Sequence, residues 1–241
     1  MRKRTGALTA VFLLLLLILT GSALMNLHKQ PAPLAQETGS VVELPPPQLA
    51  GRMSVEEALH TRRSQRAYSA APLTLAELGQ LLWAAQGVTH PNGYRTAASA
   101  GALYPLELLV AVGRVSDLGA GIYRYHPDRH ALTLIEAGDR RATLSAAALG
   151  QESVAEGAVV LAIAAVYERT TVRYGERGRQ YVHMEVGIAY QNVHLQAAAL
   201  GLGTVFIGAF HDDQVHARLR LAAEERPLCL MPIGRLPEER P

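Results

Sequence analysis

The 241-residue chain has one cysteine, Cys229, and no lysine after Lys29. A lone cysteine excludes an intramolecular disulfide and any metal site that needs several thiolates. Inside the apolar run 228–233 it reads as a buried structural thiol rather than a nucleophile. Without lysine the body can have neither a Schiff-base amine nor a Walker-type phosphate lysine, and no Gly-x-Ser-x-Gly nucleophile elbow occurs. Aromatic residues make up 5% and charged residues 18%, yet 49% of the chain is hydrophobic, which excludes a disordered or collagen-like polymer. The formal charge of +2 conceals another absence. Of the 23 basic residues, Arg2, Lys3, Arg4 and Lys29 precede every acidic one, which leaves 19 arginines against 21 carboxylates. A near-neutral body with no positive stripe offers no footprint for nucleic acid.

Residues 1–4 read Met-Arg-Lys-Arg, and 5–26 then carry no charge around the run Val-Phe-Leu-Leu-Leu-Leu-Leu-Ile-Leu-Thr. This pattern is expected to be a signal anchor or, with small residues at Gly21-Ser22-Ala23, a cleaved signal peptide over 1–26. The basic tip would stay in the cytoplasm, so the body is expected to be membrane-anchored or exported, outside the cytoplasm. Residues 27–50 contain Pro31, Pro33, Pro45, Pro46 and Pro47 without helical or strand periodicity and read as an extended linker.

In the body, expected at 51–236, Ser54 with Glu57 and Thr74 with Glu77 have the form of helix-start capping boxes. Leu75, Leu78, Leu81, Leu82 and Ala85 fall at helical spacing before Gly87. Segments 106–115, 121–125 and 131–136 read as strands in antiparallel pairing, 139–149 as a helix, and 158–166 as a strand covered on both faces. A long helix is predicted from 178 to Gly201, over 30 Å at about 1.5 Å per residue. A strand at 204–210, a helix at 213–221 and a strand at 228–234 complete the chain. Intermixed elements with hairpin-like early strands predict an α+β fold.

Two segments stand out chemically. Arg62-Arg63-Ser64-Gln65-Arg66 gathers three guanidinium groups and a hydroxyl, a set suited to phosphate oxygens; a solvated basic turn is the bland alternative. Ala98-Ser99-Ala100-Gly101-Ala102-Leu103-Tyr104-Pro105 is a run of small residues before a strand, where a flat ligand can approach the backbone, or simply a tight connection. His183, Glu185 and His194 share a helix at spacings that do not converge on one metal ion, and Glu185 and Gln191-Asn192 read as packing and dimer hydrogen-bonding residues.

With both segments in view, the chain resembles the nitroreductase superfamily of flavin enzymes, most closely its SagB-type dehydrogenase branch, over roughly 52–235. The resemblance rests on RRSQR (62–66), LLWAAQGV (81–88), SAGALYPLE (99–107), GIYRY (121–125), the stretch 173–203 containing EVGIAYQN, and IGAF (207–210). It implies a mainly antiparallel sheet flanked by helices, with a long central helix and an obligate homodimer. It implies FMN as cofactor, NAD(P)H or another donor such as a quinone or membrane electron carrier, and a small organic acceptor. Arg62, Arg63, Ser64 and Arg66 would hold the FMN phosphate and ribityl chain. Ser99, Ala100, Gly101 and Ala102 would lie against the flavin from the partner subunit, and Ile207, Gly208 and Ala209 would face its edge near N5. Arg235 is the candidate for a late basic residue at the phosphate. Two positions depart from the family pattern: Ala98-Ser99 stands where Pro-Ser is usual, and Arg173-Tyr174, the catalytic candidates, stand where the azoline-oxidising branch carries Lys-Tyr. Arginine does not cycle a proton near neutral pH. The rival class is a membrane-tethered flavin-binding or interaction module without turnover.

Overall fold

The structure is a computed structural model that describes residues 39–237. Its elements in chain order are β1 (Val41–Glu43), α1 (Val55–Thr61), α2 (Leu75–Gln86), a 3-10 turn (Ala100–Ala102), β2 (Leu106–Val112), β3 (Gly121–His126), β4 (Ala131–Ala137), α3 (Arg141–Ala147) and α4 (Glu152–Glu156). They continue as β5 (Val159–Ala165), α5 (Glu168–Tyr174), α6 (Arg177–Ala199), β6 (Leu202–Thr204), α7 (Asp212–Leu219) and β7 (Arg226–Arg235). Seven strands form one sheet in the order β1-β4-β3-β2-β5-β7-β6, and every neighbouring pair is antiparallel. This is the expected α+β class.

Strand geometry divides the core in two, because successive side chains point to opposite faces. Leu108, Val110, Leu161 and Ile163 face α2 and the Val182, Val186, Ala189 and Val193 stripe of α6. Leu109, Ala111, Val160 and Ala162 face Leu144, Val215 and Leu219 of α3 and α7. All seven residues of β5 are buried, which explains its unbroken apolar sequence. Cys229 is buried in the same sheet, and burial pushes its thiol well above the ordinary cysteine range.

The helix ends follow their local chemistry. Thr74 Oγ1 accepts from the Glu77 amide while Glu77 Oε2 accepts from the Thr74 amide, at 3.2 and 2.7 Å, closing a reciprocal capping box. After α6, Gly201 takes φ +67°, the left-handed conformation that lets the chain turn into β6.

Part of the expected linker belongs to this fold. Val41, Val42 and Glu43 pair with Thr133, Leu132 and Ala131, Leu44 is buried, and the Gln48 amide donates to Gln80 Oε1. The physical reason is the free outer edge of β4, whose backbone groups gain partners from β1. The strand expected over 204–210 is corrected as well: pairing ends at Thr204 and resumes only as a bridge between Ile207 and Leu230, leaving Phe206, Gly208 and Ala209 exposed. The signal segment expected at 1–26 lies outside the described residues, and among those described no helix is long and apolar enough to cross a membrane.

Candidate functional site

The arginine segment lies on the β6–β7 corner because two glycines make room for it. Gly203 and Gly234 face each other across the strands; a Cβ on the first would meet Gln65 Cβ at 2.8 Å, and on the second Tyr68 Cβ at 2.8 Å. The Gln65 amide donates to Thr204 O at 2.9 Å, Ser64 bridges Thr204 in parallel, and Tyr68 Oη reaches the carbonyls of Gln65 and Pro232 at 2.6 and 3.0 Å. From α6, His194 Nε2 stands 3.1 Å from Arg63 O and Nδ1 stands 2.8 Å from Tyr190 Oη. A carbonyl can only accept, so Nε2 carries the proton and Nδ1 accepts from the phenol. Burial lowers the imidazole pKa, which favours this neutral form. Tyr190 also meets Phe206 edge to face, at 5.0 Å between centroids.

The backbone is therefore pinned while the charged groups remain available. Arg63 turns back to the carbonyls of His60 and Arg62. Arg62 is half-buried, Ser64 and Arg66 are exposed, and neither Arg62 nor Arg66 has a carboxylate partner among the described residues. Beside them Thr204 Oγ1 is buried with no hydrogen-bond partner. Arg235 is placed differently: its guanidinium pairs with Glu77 Oε2 at 2.8 Å and donates to Pro72 O, although its own carbonyl accepts from Ser69 next to the segment.

The small-residue loop is built on backbone strain and one buried acid. Gly101, Ala102 and Tyr104 have φ of +63°, +53° and +45°, a conformation that costs non-glycine residues on the order of 1 kcal/mol or more. Glu185, 4% exposed, accepts from the Ala100 amide at 2.9 Å and also bonds Ser99. Burial raises its carboxyl pKa, partly opposed by these two bonds. Ser99 Oγ accepts from the Tyr104 amide, Arg169 donates to Tyr104 O, and Arg95 lies 4.4 Å over the Tyr104 ring. A Cβ on Gly101 would come within 2.8 Å of Tyr174 Oη and 2.9 Å of Arg173 Nη1. The structure thus brings Arg173 and Tyr174 to the loop at Gly101, with Ser99 and Ala100 half-buried and Gly101 and Ala102 exposed.

These two groups sit on opposite flanks of α6. An α-helix turns about 100° per residue, so His183, Gly187, Tyr190 and His194 share one flank while Glu185, Asn192 and Gln196 lie about half a turn away. The first flank carries Arg63 and Phe206; the second carries Ala100, with Asn192 donating to Thr96 O and Gln196 accepting from Gln80. Ile207 is buried and exchanges both backbone bonds with Leu230, which holds exposed Gly208 and Ala209 on the Phe206 side. A Cβ on exposed Gly187 would meet nothing within 4 Å, so this flank is open at that residue.

Sequence reasoning missed Tyr190, Thr204 and Phe206, and weighed His194 only as a metal ligand. The i, i+4 spacing of Tyr190 and His194 on the predicted helix was the available signal. Glu185 and Asn192, expected to serve packing and the dimer, make their hydrogen bonds within the chain.

The model of the nitroreductase family matches residues 59–235, and the chain belongs to that family of oxidoreductases. A protein named as a nitroreductase in Methanocaldococcus jannaschii is 47% identical over 197 residues, 82% of this chain and 98% of its own. The crystal structure of a nitroreductase homologue from Ralstonia eutropha JMP134 superposes with a TM-score of 0.73 at 30% identity, covering 87% of this chain and 96% of that one. The NADPH:FMN oxidoreductase of Vibrio harveyi, solved with NAD+, shares the fold at 22% identity and TM-score 0.56, over 78% of this chain and 70% of its own. The first two relatives correct the expected location. Nitroreductases matched over nearly their whole lengths carry this unit by itself. The expectation of a membrane-anchored or exported body is withdrawn.

Proposed function

We propose that the chain is an FMN-dependent oxidoreductase, SagB-like within its family, that passes hydride from NAD(P)H to a small organic acceptor and works as a homodimer. The observation that carries the reading is the junction of Ser64 with Thr204. Thr204, whose buried hydroxyl has no partner, bridges exposed Ser64 of the segment that carries the uncommitted Arg62 and Arg66. Such a set fits a phosphate and its polyol chain, because charge-assisted donors and hydroxyls match their oxygens. The open surface at Gly187 leaves room for a flat ring along this flank, and exposed Gly208 and Ala209 follow Phe206, which touches Tyr190 of the same flank. The V. harveyi relative, an FMN oxidoreductase by name, supports the same cofactor.

In this reading Arg62, Ser64, Arg66 and Thr204 hold the phosphate end, with Arg63 as a weaker contributor. The backbone around Ile207, Gly208 and Ala209 sets the rim. Arg235 would serve by fixing the corner through Glu77. The cofactor, when bound, supplies two-electron hydride chemistry. Arg173 and Tyr174 are the catalytic pair that orients the acceptor, the guanidinium as a fixed charge and the phenol as a donor. Arginine does not exchange its proton near neutral pH, so azoline formation through a Lys-Tyr mechanism is not assigned.

The separation of the two flanks supports dimerisation. Ser99, Ala100, Gly101 and Ala102 lie across α6 from Arg62 and Ser64, so a ligand that touches both groups takes them from two copies. Met184 and Ile188 form an exposed apolar stripe between the flanks, and Leu195 continues it into a groove of about 750 Å³ with Trp83 and Leu200. The test is direct: the purified chain should be a yellow dimer with one FMN per subunit. A colourless protein that gains no thermal stability from added FMN would favour the module without turnover.

A further inference from the structure

Tyr167 and His183 are polar groups on the arginine flank that the cofactor reading leaves unused. Tyr167 lies between the end of β5 and the start of α5, and His183 lies two turns before Tyr190 on α6. Tyr167 Oη and His183 Nε2 are 2.5 Å apart, and the rings meet edge to face with centroids 5.6 Å apart. His183 is exposed and Tyr167 half-buried. Arg179 of α6 lies 5.2 Å over the Tyr167 ring and is itself held by Glu176 at 3.1 Å. Burial raises the Tyr167 phenol, Arg179 opposes the rise and Asp212 adds to it, so the group keeps its proton at neutral pH.

The place of the pair matters as much as its chemistry. Phe206 touches Tyr190, and Asp212, which opens α7, lies near enough to act on Tyr167. The loop between them starts at the Phe206 contact with Tyr190 and carries exposed Gly208 and Ala209; beyond that it is tied to the α3–α4 region, where Ala209 O accepts from Gln151 Nε2 and the His211 amide donates to Ala147 O. His183 shares the flank of α6 that carries Gly187, Tyr190 and His194, so the pair stands on that flank about three turns from the His194 contact with Arg63.

We propose that Tyr167 is the proton donor to the acceptor and that His183 is its relay to solvent. The assignment rests on the flavin reading. For a quinone-type acceptor, one carbonyl oxygen gains a hydride, two electrons and one proton, from the reduced cofactor. The other oxygen takes the Tyr167 proton, giving the hydroquinone. The phenolate left at Tyr167 recovers a proton from His183, and exposed His183 takes one from water. Arg179 favours that transient phenolate.

The test compares reoxidation of the pre-reduced enzyme by 1,4-benzoquinone, which needs a proton, with reoxidation by ferricyanide, which takes single electrons and none. Tyr167→Phe should slow the quinone reaction about a hundredfold, the scale of a lost general acid, and leave ferricyanide and FMN affinity unchanged. His183→Asn should slow the quinone reaction less. Without cofactor, Tyr167→Phe should move the NMR titration of the His183 imidazole. Unchanged quinone reoxidation in an FMN-loaded Tyr167→Phe variant overturns the assignment alone, as does equal slowing with both oxidants. An unmoved His183 titration removes the relay. A wild type that holds no FMN overturns the flavin reading and the assignment with it.

Discussion

The two flanks of α6 reach a fixed geometry by different means. The arginine segment is tied down through its backbone, by Thr204, by His194 and by Tyr68 over the paired glycines, and the charged ends of Arg62 and Arg66 stay uncommitted. The small-residue loop spends nearly every polar group on its own shape: Glu185 holds Ala100, Ser99 holds Tyr104, and three residues sit at positive φ. In the proposed function the flank with the uncommitted guanidinium groups of Arg62 and Arg66 binds an anion, whereas the strained flank with exposed Gly101 presents backbone to a surface. Because α6 stands between them, the proposed dimer is what would bring the two flanks to one ligand.

The contrast breaks most easily at the charges. Arg62→Ala with Arg66→Ala should weaken FMN binding more than a hundredfold, since each charge-assisted bond contributes roughly 1.5–3 kcal/mol. The cofactor-free melting temperature should hardly change, because neither side chain supports the fold; equilibrium dialysis and thermal melts check both statements. Unchanged flavin content would reduce the segment to a solvated turn. Gly101→Val attacks the other flank. The new side chain meets Tyr174 and Arg173 at a φ of +63°, and strain of this kind costs about 1–3 kcal/mol. Single-turnover reduction should fall at least about tenfold, the rate equivalent of 1.4 kcal/mol, while the phosphate end of the site stays intact. If bound FMN and reduction are both unchanged, Gly101 does not lie at the ring.

The sequence made this contrast only partly legible. Helix starts were readable because Ser54 and Thr74 announce themselves through an acid three residues on, and β5 was readable because both its faces are covered. β1 was not, since three residues between prolines carry no period and gain their structure only from the free edge of β4. α5 was hidden because Thr170, Thr171 and Val172 are β-branched, and its helical form comes from packing on α6. Of the site, RRSQR and Gly101 were visible as residue types. The partners that fix them, His194 and Glu185, lie 131 and 85 positions away in sequence from the groups they bind. Arg235 shows the converse: its proximity to the segment was foreseeable, but not its commitment to Glu77, 158 residues away.

A gentler comparison uses Glu185. Glu185→Ala leaves the Ala100 amide without its acceptor and should cost about 1–3 kcal/mol, with reduction affected more than FMN affinity. Glu185→Gln keeps an acceptor and should recover most of that loss. Because burial holds the folded carboxyl above its unfolded pKa, the native state carries the extra proton between the two values. Stability from this group therefore falls as pH rises from the ordinary glutamate range through the raised pKa, and Glu185→Gln should flatten that slope in melts taken across it.

The smallest effect is expected at His194, and its sign is opposite. Its folded pKa lies below the unfolded value of 6.5, so the native state carries fewer protons than the unfolded chain as pH drops below about 6.5. Stability from this group is present above that range and is lost as pH falls through it. The physical reason is burial of the imidazole, with the Arg62 charge adding to it; protonated Nδ1 also no longer accepts from Tyr190 Oη, a bond worth about 0.5–1.5 kcal/mol, while Nε2 keeps its bond to Arg63 O. Acid should therefore loosen Tyr190 and Phe206 first, weakening FMN binding before unfolding the protein. His194→Gln should melt slightly lower at neutral pH and lose less on acidification. His130, whose pKa burial also lowers, contributes the same sign from the β3–β4 turn, so the comparison is made within the His130→Gln background. If the pH slope of FMN affinity there is the same with and without His194, the imidazole does not couple the arginine flank to its protonation.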